Sequence, residues 1–215
     1  MKENYFVLDT NPGSCALSDI PVTDYVQFYQ NISELLKLES MHIAQYFCVP
    51  ADHVLNFYCI VADDQKHQLR IYAHQCQRDN ASLESLTAVH QSMHIFEREL
   101  HENHGVEFPG HPWLKPVRWP HDRADQQSVM DNYPFFKIDS EELHEVGVGP
   151  VHAGVIEPGH FRFICNGEKV YHLEIHLGYQ HRGVERLFTE KKNLLQKAVV
   201  SEQIAGDTAV GHSLC

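Results

Sequence analysis

The sequence predicts an α+β protein in two parts, a small helix–strands–helix domain followed by a β-hairpin and helix segment. Three observations carry this expectation. Apolar residues recur at helical spacing after Thr23 and again after Ser82. Between those stretches lie three short runs rich in β-branched and aromatic residues. Beyond residue 143, an Asn-Gly pair joins two more runs of strand character.

The first helix is expected to start at Thr23 or Asp24. A short polar side chain there accepts a hydrogen bond from a free N–H of the first turn. Its apolar face is Tyr25, Phe28, Tyr29, Ile32, Leu35 and Leu36. The strands are Ile43–Val49, Val54–Ala62 and Leu69–His74, with Asp63 and Asp64 separating the last two. A second helix is expected from Ser82 to Asn103, with Leu83, Leu86, Val89, Met93, Phe96 and Leu100 as its stripe. Gly105 is placed to end it, because glycine adopts the left-handed closing conformation without steric cost. Pro109 to Pro120, which contains Trp113 and Trp119, reads as an extended ordered tail.

The first domain therefore covers residues 1–122, and the mixed polar stretch 123–142 reads as a linker. In residues 143–215, Phe161–Cys165 is expected to pair with Lys169–Leu173 across Asn166-Gly167-Glu168, in a type I′ turn with two positive φ angles. One helix follows, from Gly183 to Ile204, with Val184, Leu187, Phe188, Leu195, Ala198 and Val199 on one side. A hairpin and a single helix leave apolar faces uncovered. Another polypeptide, or a continuation of the chain, is expected to complete this fold.

Composition removes several function classes. The 215 residues are 43% hydrophobic, enough for a core. The net charge of −12 repels phosphate backbones, so no nucleic acid partner is expected. No basic cluster suggests binding to anionic lipid. The longest nearly apolar run, Val54–Ala62, is far shorter than the roughly 20 residues a spanning helix needs, so no direct membrane insertion is expected. Met1–Asp9 lacks the basic-then-apolar pattern of a signal peptide, which points to the cytoplasm. The cysteines (Cys15, Cys48, Cys59, Cys76, Cys165 and Cys215) are not paired at C-x-x-C spacing, so no self-contained iron–sulfur or zinc site is expected. Isolated cytosolic cysteines read as small buried hydrophobes. Histidine is abundant, with 17 residues. His94, Glu97, His101 and His104 share one helix face and form a candidate metal set; the alternative is an ordinary solvated or subunit-facing helix.

Two motif groups carry a family resemblance. The run Glu97-Arg98-Glu99-Leu100-His101-Glu102-Asn103-His104-Gly105-Val106-Glu107-Phe108-Pro109-Gly110-His111-Pro112 resembles the signature of the hydrophilic C subunit of bacterial NADH:quinone oxidoreductase. His101 and Glu102 stand where that family usually has Tyr and Asp. The second group is Val148-Gly149-Pro150-Val151-His152, Glu157-Pro158-Gly159-His160-Phe161-Arg162-Phe163 and Leu177-Gly178-Tyr179-Gln180-His181-Arg182-Gly183-Val184-Glu185-Arg186-Leu187. It resembles the start of the D subunit, which is homologous to the NiFe-hydrogenase large subunit. C-like then D-like signatures in one chain resemble the fused subunit of group 4, formate hydrogenlyase-type hydrogenases. Only the N-terminal part of that subunit is matched, over roughly residues 25–215.

The resemblance implies an oxidoreductase subunit that catalyses nothing alone. It implies a place on the cytoplasmic side of the inner membrane, peripheral, in contact with an iron–sulfur small subunit and, through the complex, with antiporter-like membrane subunits. By the same resemblance, His181, Arg182 and Glu185 lie near a 4Fe-4S cluster held by that partner. His152, Arg162 and His212 are candidates for a proton or sheet-interface site. Glu97, Arg98, Glu99, Gly110, His111 and Pro112 form the signature interface. The nickel-binding cysteines of the family correspond here to Ala205 and Thr208, so nickel binding is not expected. Ile156 stands where a quinone-contacting histidine would sit. An alternative reading is a redox-silent assembly protein that keeps the fold without the chemistry. For Arg182 the plain alternative is a helix-start ion pair with Glu185.

Overall fold

A computed structural model describes residues 4–10, 13–152 and 157–214. The chain divides into two compact units, residues 1–116 with 122–126, and residues 117–121 with 127–215. The stretch 123–142, expected as a linker, is therefore shared: its beginning packs with the first unit and the rest with the second.

In the first unit, the short strands β1 (Phe6–Leu8) and β2 (Val22–Thr23) precede helix α1 (Tyr25–Leu35). Asp24 caps α1 by accepting from the Gln27 N–H at 2.9 Å. An antiparallel meander follows, β3 (Met41–Ala51), β4 (Val54–Asp63) and β5 (Gln68–Gln77), each strand longer than its apolar run. The sheet order is β1-β5-β4-β3, and β2 pairs in parallel with β5. β4 alternates strictly: Leu55, Phe57, Cys59 and Val61 point into the core, against Phe28 and Ile32 of α1. This is the period-2 burial of a sheet with one face on its helices. The opposite face carries a smaller cluster of Ile20, Ile71 and Ala73.

The second helix is half as long as the predicted span 82–103. Helix α2 covers only His94–His104, closed by Gly105 at φ 71° as expected. Residues 82–93 instead form a loop with two short 3₁₀ turns, Leu86–Ala88 and Gln91–Met93. The backbone of this loop is committed elsewhere. Leu83 donates to Glu107 O and Ser85 to Pro109 O, while Glu107 donates back to Ala81 O. The loop also wraps a fully buried carboxylate. Glu97 accepts from Leu86 N–H at 2.7 Å, Thr87 N–H at 3.2 Å, and the Ser85 and Thr87 hydroxyls at 2.6 Å each. Burial raises the Glu97 pKa, and these hydrogen bonds oppose that rise.

In the second unit, β6 (His144–Val151), β7 (Gly159–Asn166) and β8 (Lys169–His176) form a separate antiparallel sheet in that order. The hairpin turn differs from expectation. Asn166 pairs with Lys169, leaving the two-residue loop Gly167-Glu168, and only Gly167 has positive φ, at 56°. That is the pattern of a type II′ turn. Cross-strand register puts Arg162, Glu174, His172, His160 and His176 on one face of the sheet. Tyr133, Phe135 and Phe136 cover that polar face: Phe135 lies against His160, Tyr133 on His176 and Phe136 on His172. The other face carries Val146, Val148, Leu173 and Ile175, all exposed.

The predicted helix 183–204 is two helices, α3 (Val184–Glu190) and α4 (Leu194–Ser201). The backbone is extended at Lys191, and Asn193 caps α4 by accepting from the Leu195 N–H at 2.9 Å. An asparagine offers the chain this local alternative to a continuous helix. The short helix α5 (Ala209–Leu214) ends the described residues. Cys215 and Ile156 lie outside them.

Two expected outcomes follow from the first unit's interior. His74 is buried against Phe57 (ring centroids 4.3 Å apart, nearly parallel) and hydrogen-bonded to the Tyr46 hydroxyl at 3.1 Å. Burial lowers its pKa to about 3. The unfolded chain takes up a proton near the ordinary value of about 6.5, which the folded chain refuses. Stability is therefore lost as pH falls from about 6.5 toward 3, with a limiting slope of about 1.4 kcal/mol per pH unit for this one group. Urea midpoints at pH 7.5, 6 and 5 should fall for the wild type and fall less for the Tyr46→Phe, His74→Phe double variant; parallel curves would remove His74 as the cause. Glu97→Ala should destabilise by on the order of 3 kcal/mol or more, since it strands two backbone N–H groups and two hydroxyls in the core. Glu97→Gln, which keeps one acceptor, should cost less, and the amides of Leu86 and Thr87 should lose hydrogen-exchange protection in both variants.

Candidate functional site

In the second unit, a cleft of about 560 Å³ opens where the end of β8 turns into α3. The turn is built around Gly178, at φ 98°. A Cβ there would lie 2.8 Å from Val117 O and 2.9 Å from the Trp119 ring, so only glycine lets residues 117–119 pass this close. The Gly178 N–H donates to Glu157 Oε1 at 3.1 Å, and the Gly178 carbonyl accepts from the His181 N–H at 3.3 Å. These bonds fix the His181-Arg182 step. Gly183, left-handed at φ 65°, then opens α3.

Beneath this turn lies a buried histidine. The Trp119 indole donates to His176 Nε2 at 3.0 Å. Indole nitrogen only donates, so in a neutral His176 ring the proton sits on Nδ1, which faces the Tyr179 hydroxyl at 3.3 Å. Tyr133 stacks on the imidazole at 4.1 Å. The Trp119–His176–Tyr179 chain thus clamps both ends of the Gly178 turn.

The cleft has an apolar wall of Val184, Phe188 and Ile204, and a polar wall of His152, Glu157, His181, Arg182, Glu185 and Asp207. Ala205 and Thr208 line it as well. Four sequence-predicted residues, His152, His181, Arg182 and Glu185, therefore share one cavity with Ala205 and Thr208, the positions that the resemblance matches to metal-binding cysteines. The alternative Arg182–Glu185 pair does not form. Glu185 is ion-paired with Arg118, and Arg186 pairs with Glu190 at 3.0 Å. Arg182 is exposed and makes no ion pair or hydrogen bond with the described residues.

Arg162 and His212 are not brought to the cleft. Arg162 pairs with Glu145 and lies 5.0 Å over the Phe135 ring on the covered sheet face. Arg118, Trp119, His176 and Tyr179 were not singled out from the sequence. Trp119 and His176 are 57 residues apart, and no local pattern announces their hydrogen bond.

The cleft does not suit nickel. A methyl group at Ala205 and a hydroxyl at Thr208 supply no thiolate, the soft ligand such a site requires. Among the described residues no group of three or more His, Cys, Asp or Glu side chains is placed to hold a metal. The His94 to His104 face of α2 is used otherwise: the oxygens of Glu97 accept from the 85–87 loop, and His101 Nδ1 contacts Val106 O at 3.0 Å.

The signature residues of the first unit are mostly internal. Arg98 is 7% exposed, donates to Lys115 O at 2.8 Å and Pro116 O at 2.9 Å, and lies 5.2 Å over the Trp113 ring. His111 Nδ1 accepts from the Trp113 N–H at 2.9 Å, and its Nε2 is 3.9 Å from Glu97 Oε2. Burial, with Arg98 nearby, lowers the His111 pKa to about 4. Glu97, Arg98 and His111 thus hold the unit's own loops together, where an interface was expected. Gly110, at φ 84°, and Pro112 are exposed, and Glu99 is half-buried.

Residues 19–135 match the family described as "Respiratory-chain NADH dehydrogenase, 30 Kd subunit". Hydrogenase-4 component G of Escherichia coli is 27% identical over 135 residues, 55% of this chain and 24% of that protein. Formate hydrogenlyase subunit 5 of the same organism is 27% identical over 135 residues, 54% of this chain and 24% of that protein. The fused C/D subunit of NADH-quinone oxidoreductase from Phocaeicola vulgatus is 23% identical over 140 residues, 51% of this chain and 27% of that protein. The chain thus spans about a quarter of the length of these relatives. With more than half its residues inside the family match, and with relatives on both the hydrogenase and the NADH dehydrogenase side, the chain belongs to the respiratory-chain NADH dehydrogenase 30 Kd subunit family.

Proposed function

We propose that this chain is a peripheral subunit of a complex I-like or group 4 hydrogenase-like electron-transfer complex, and that it presents Arg182 to a 4Fe-4S cluster held by an iron–sulfur partner subunit. One observation carries the reading: Arg182 is an exposed guanidinium at a braced turn, with no anionic partner among the described residues. A guanidinium does not lose its proton at accessible pH, so this charge is constant. Beside a cluster it stabilises the reduced, more negative state and raises the potential. Other chains of the complex would provide attachment to the cytoplasmic side of the membrane, including antiporter-like subunits. No helix of the described residues is long and apolar enough to cross a bilayer.

In this role the chain positions charge and holds no redox group itself. The purified chain should contain no stoichiometric nickel, iron or zinc by elemental analysis. One metal per chain at full occupancy would contradict this, and the His94–His104 helix would then be the first place to look.

Arg182→Met tests the cluster role. It keeps much of the length and removes the charge. Because the side chain is exposed and unpaired, stability of the isolated chain should change by less than about 0.5 kcal/mol. In the natively purified complex, a redox titration followed by electron paramagnetic resonance should show the partner's cluster becoming harder to reduce. An unchanged potential in a complex that still assembles would mean that Arg182 does not act on the cluster.

A further inference from the structure

We infer that Arg118 is a positioning residue for the Arg182 site: by holding Glu185, it keeps that carboxylate from neutralising Arg182. The inference rests on the proposed cluster-facing role of Arg182 and adds to it a residue outside the signature motifs. Glu185 stands three residues after Arg182, the spacing at which opposite charges meet on a helix. That pair does not form, because Glu185 is engaged by Arg118 instead. The two side chains lie on the rim of the same cleft as Arg182.

Arg118 is held there independently of its ion pair. Its neighbour Trp119 adopts φ 55°, rare for a large side chain, and is fixed by the hydrogen bond to His176. On its other side Val117 is buried, with its carbonyl against Gly178. Residues 117–119 are therefore a strap pinned at both ends, and the guanidinium projects from the pinned segment toward α3. The strap and the His181-Arg182 step share the Gly178 contact, so their spacing is set by packing. Within this rim Glu185 is engaged by Arg118 and not by Arg182.

This arrangement predicts a sign pattern that a purely structural role does not. In Arg118→Gln the freed Glu185 is left to offset Arg182, and the partner's cluster should shift to lower potential, in the same direction as in Arg182→Met. In Glu185→Gln a negative charge beside Arg182 is removed, and the potential should rise. In the double variant both charges are gone, and the potential should return close to the wild-type value. Arg118→Lys, which keeps the charge, should stay near wild type and serves if Arg118→Gln assembles poorly.

The experiment is a redox titration of the natively purified complex for these variants, with Arg182→Met alongside. Opposite shifts in the single variants and cancellation in the double support the inference. Shifts of the same sign, no shift in either, or a double variant no closer to wild type than the singles would overturn it. If Arg182→Met itself leaves the potential unchanged, the proposed function fails first. If Arg182→Met shifts the potential while the Arg118 and Glu185 variants do not, only this inference fails.

Discussion

A single buried carboxylate dictates much of the first unit. Glu97 sits on the inner face of α2 with no exposure to water. A charge in that position is tolerated only when donors surround it. The chain supplies them from 85–87, two backbone N–H groups and two hydroxyls. Those residues cannot also continue α2, because a helical backbone would direct the N–H groups of Leu86 and Thr87 along its own axis. The loop then meets the 107–109 segment through the Leu83 and Ser85 amides, and this ladder places Phe108 in the core. Arg98, one position further along α2, fastens the tail at Lys115 and Pro116. Two adjacent charged residues thus anchor the segments before and after their helix.

The second unit uses the same logic with a histidine. His176 is nearly inaccessible, and both ring nitrogens face partners, Trp119 on one side and Tyr179 on the other. Glu174, two residues earlier on the same sheet face, accepts from the Phe136 N–H at 2.7 Å. The polar face of this sheet is therefore the covered one, closed by aromatic side chains from 133–136, while its aliphatic face is exposed. This reverses the usual arrangement of a half-buried antiparallel sheet. Within one unit, the polar sheet face is covered and the aliphatic one is left open.

What was legible in the sequence, and what was not, divides along the same line. Strand alternation in 54–63 and the helical face of 25–35 were readable because they depend on neighbours two to four residues apart. Asp24 and Gly105 were readable as caps because capping chemistry is local. The apolar stripe from Leu83 to Leu100 misled, since burial of Leu83, Leu86 and Met93 was achieved by a loop held on Glu97. The break after Glu190 turned on Asn193 capping a new helix, a choice that 184–199 periodicity does not reveal. At the cleft, motif positions gave His181, Arg182 and Glu185. They could not give Arg118, because its tie to Glu185 crosses 67 residues of chain and depends on the Gly178 contact.

The exposure of the second unit bears on how strongly its charges act. Leu194 and Leu195 of α4 are 81% and 76% exposed, and Val210 and Leu214 of α5 are also open. Surfaces of this kind mark sites of association. In water, a guanidinium at the cleft rim is screened, and a charge about one Debye length away, roughly 10 Å at moderate salt, feels little of it. Covering the apolar surface with another chain would exclude water from the rim. The effective dielectric would drop, and the same unpaired charge would act severalfold more strongly. An unneutralised Arg182 is therefore inexpensive in the isolated chain and influential only in an assembly. The braced turn and the exposed apolar surfaces are in that sense two halves of one physical arrangement: the fold fixes where the charge stands, and association would determine how far its field reaches.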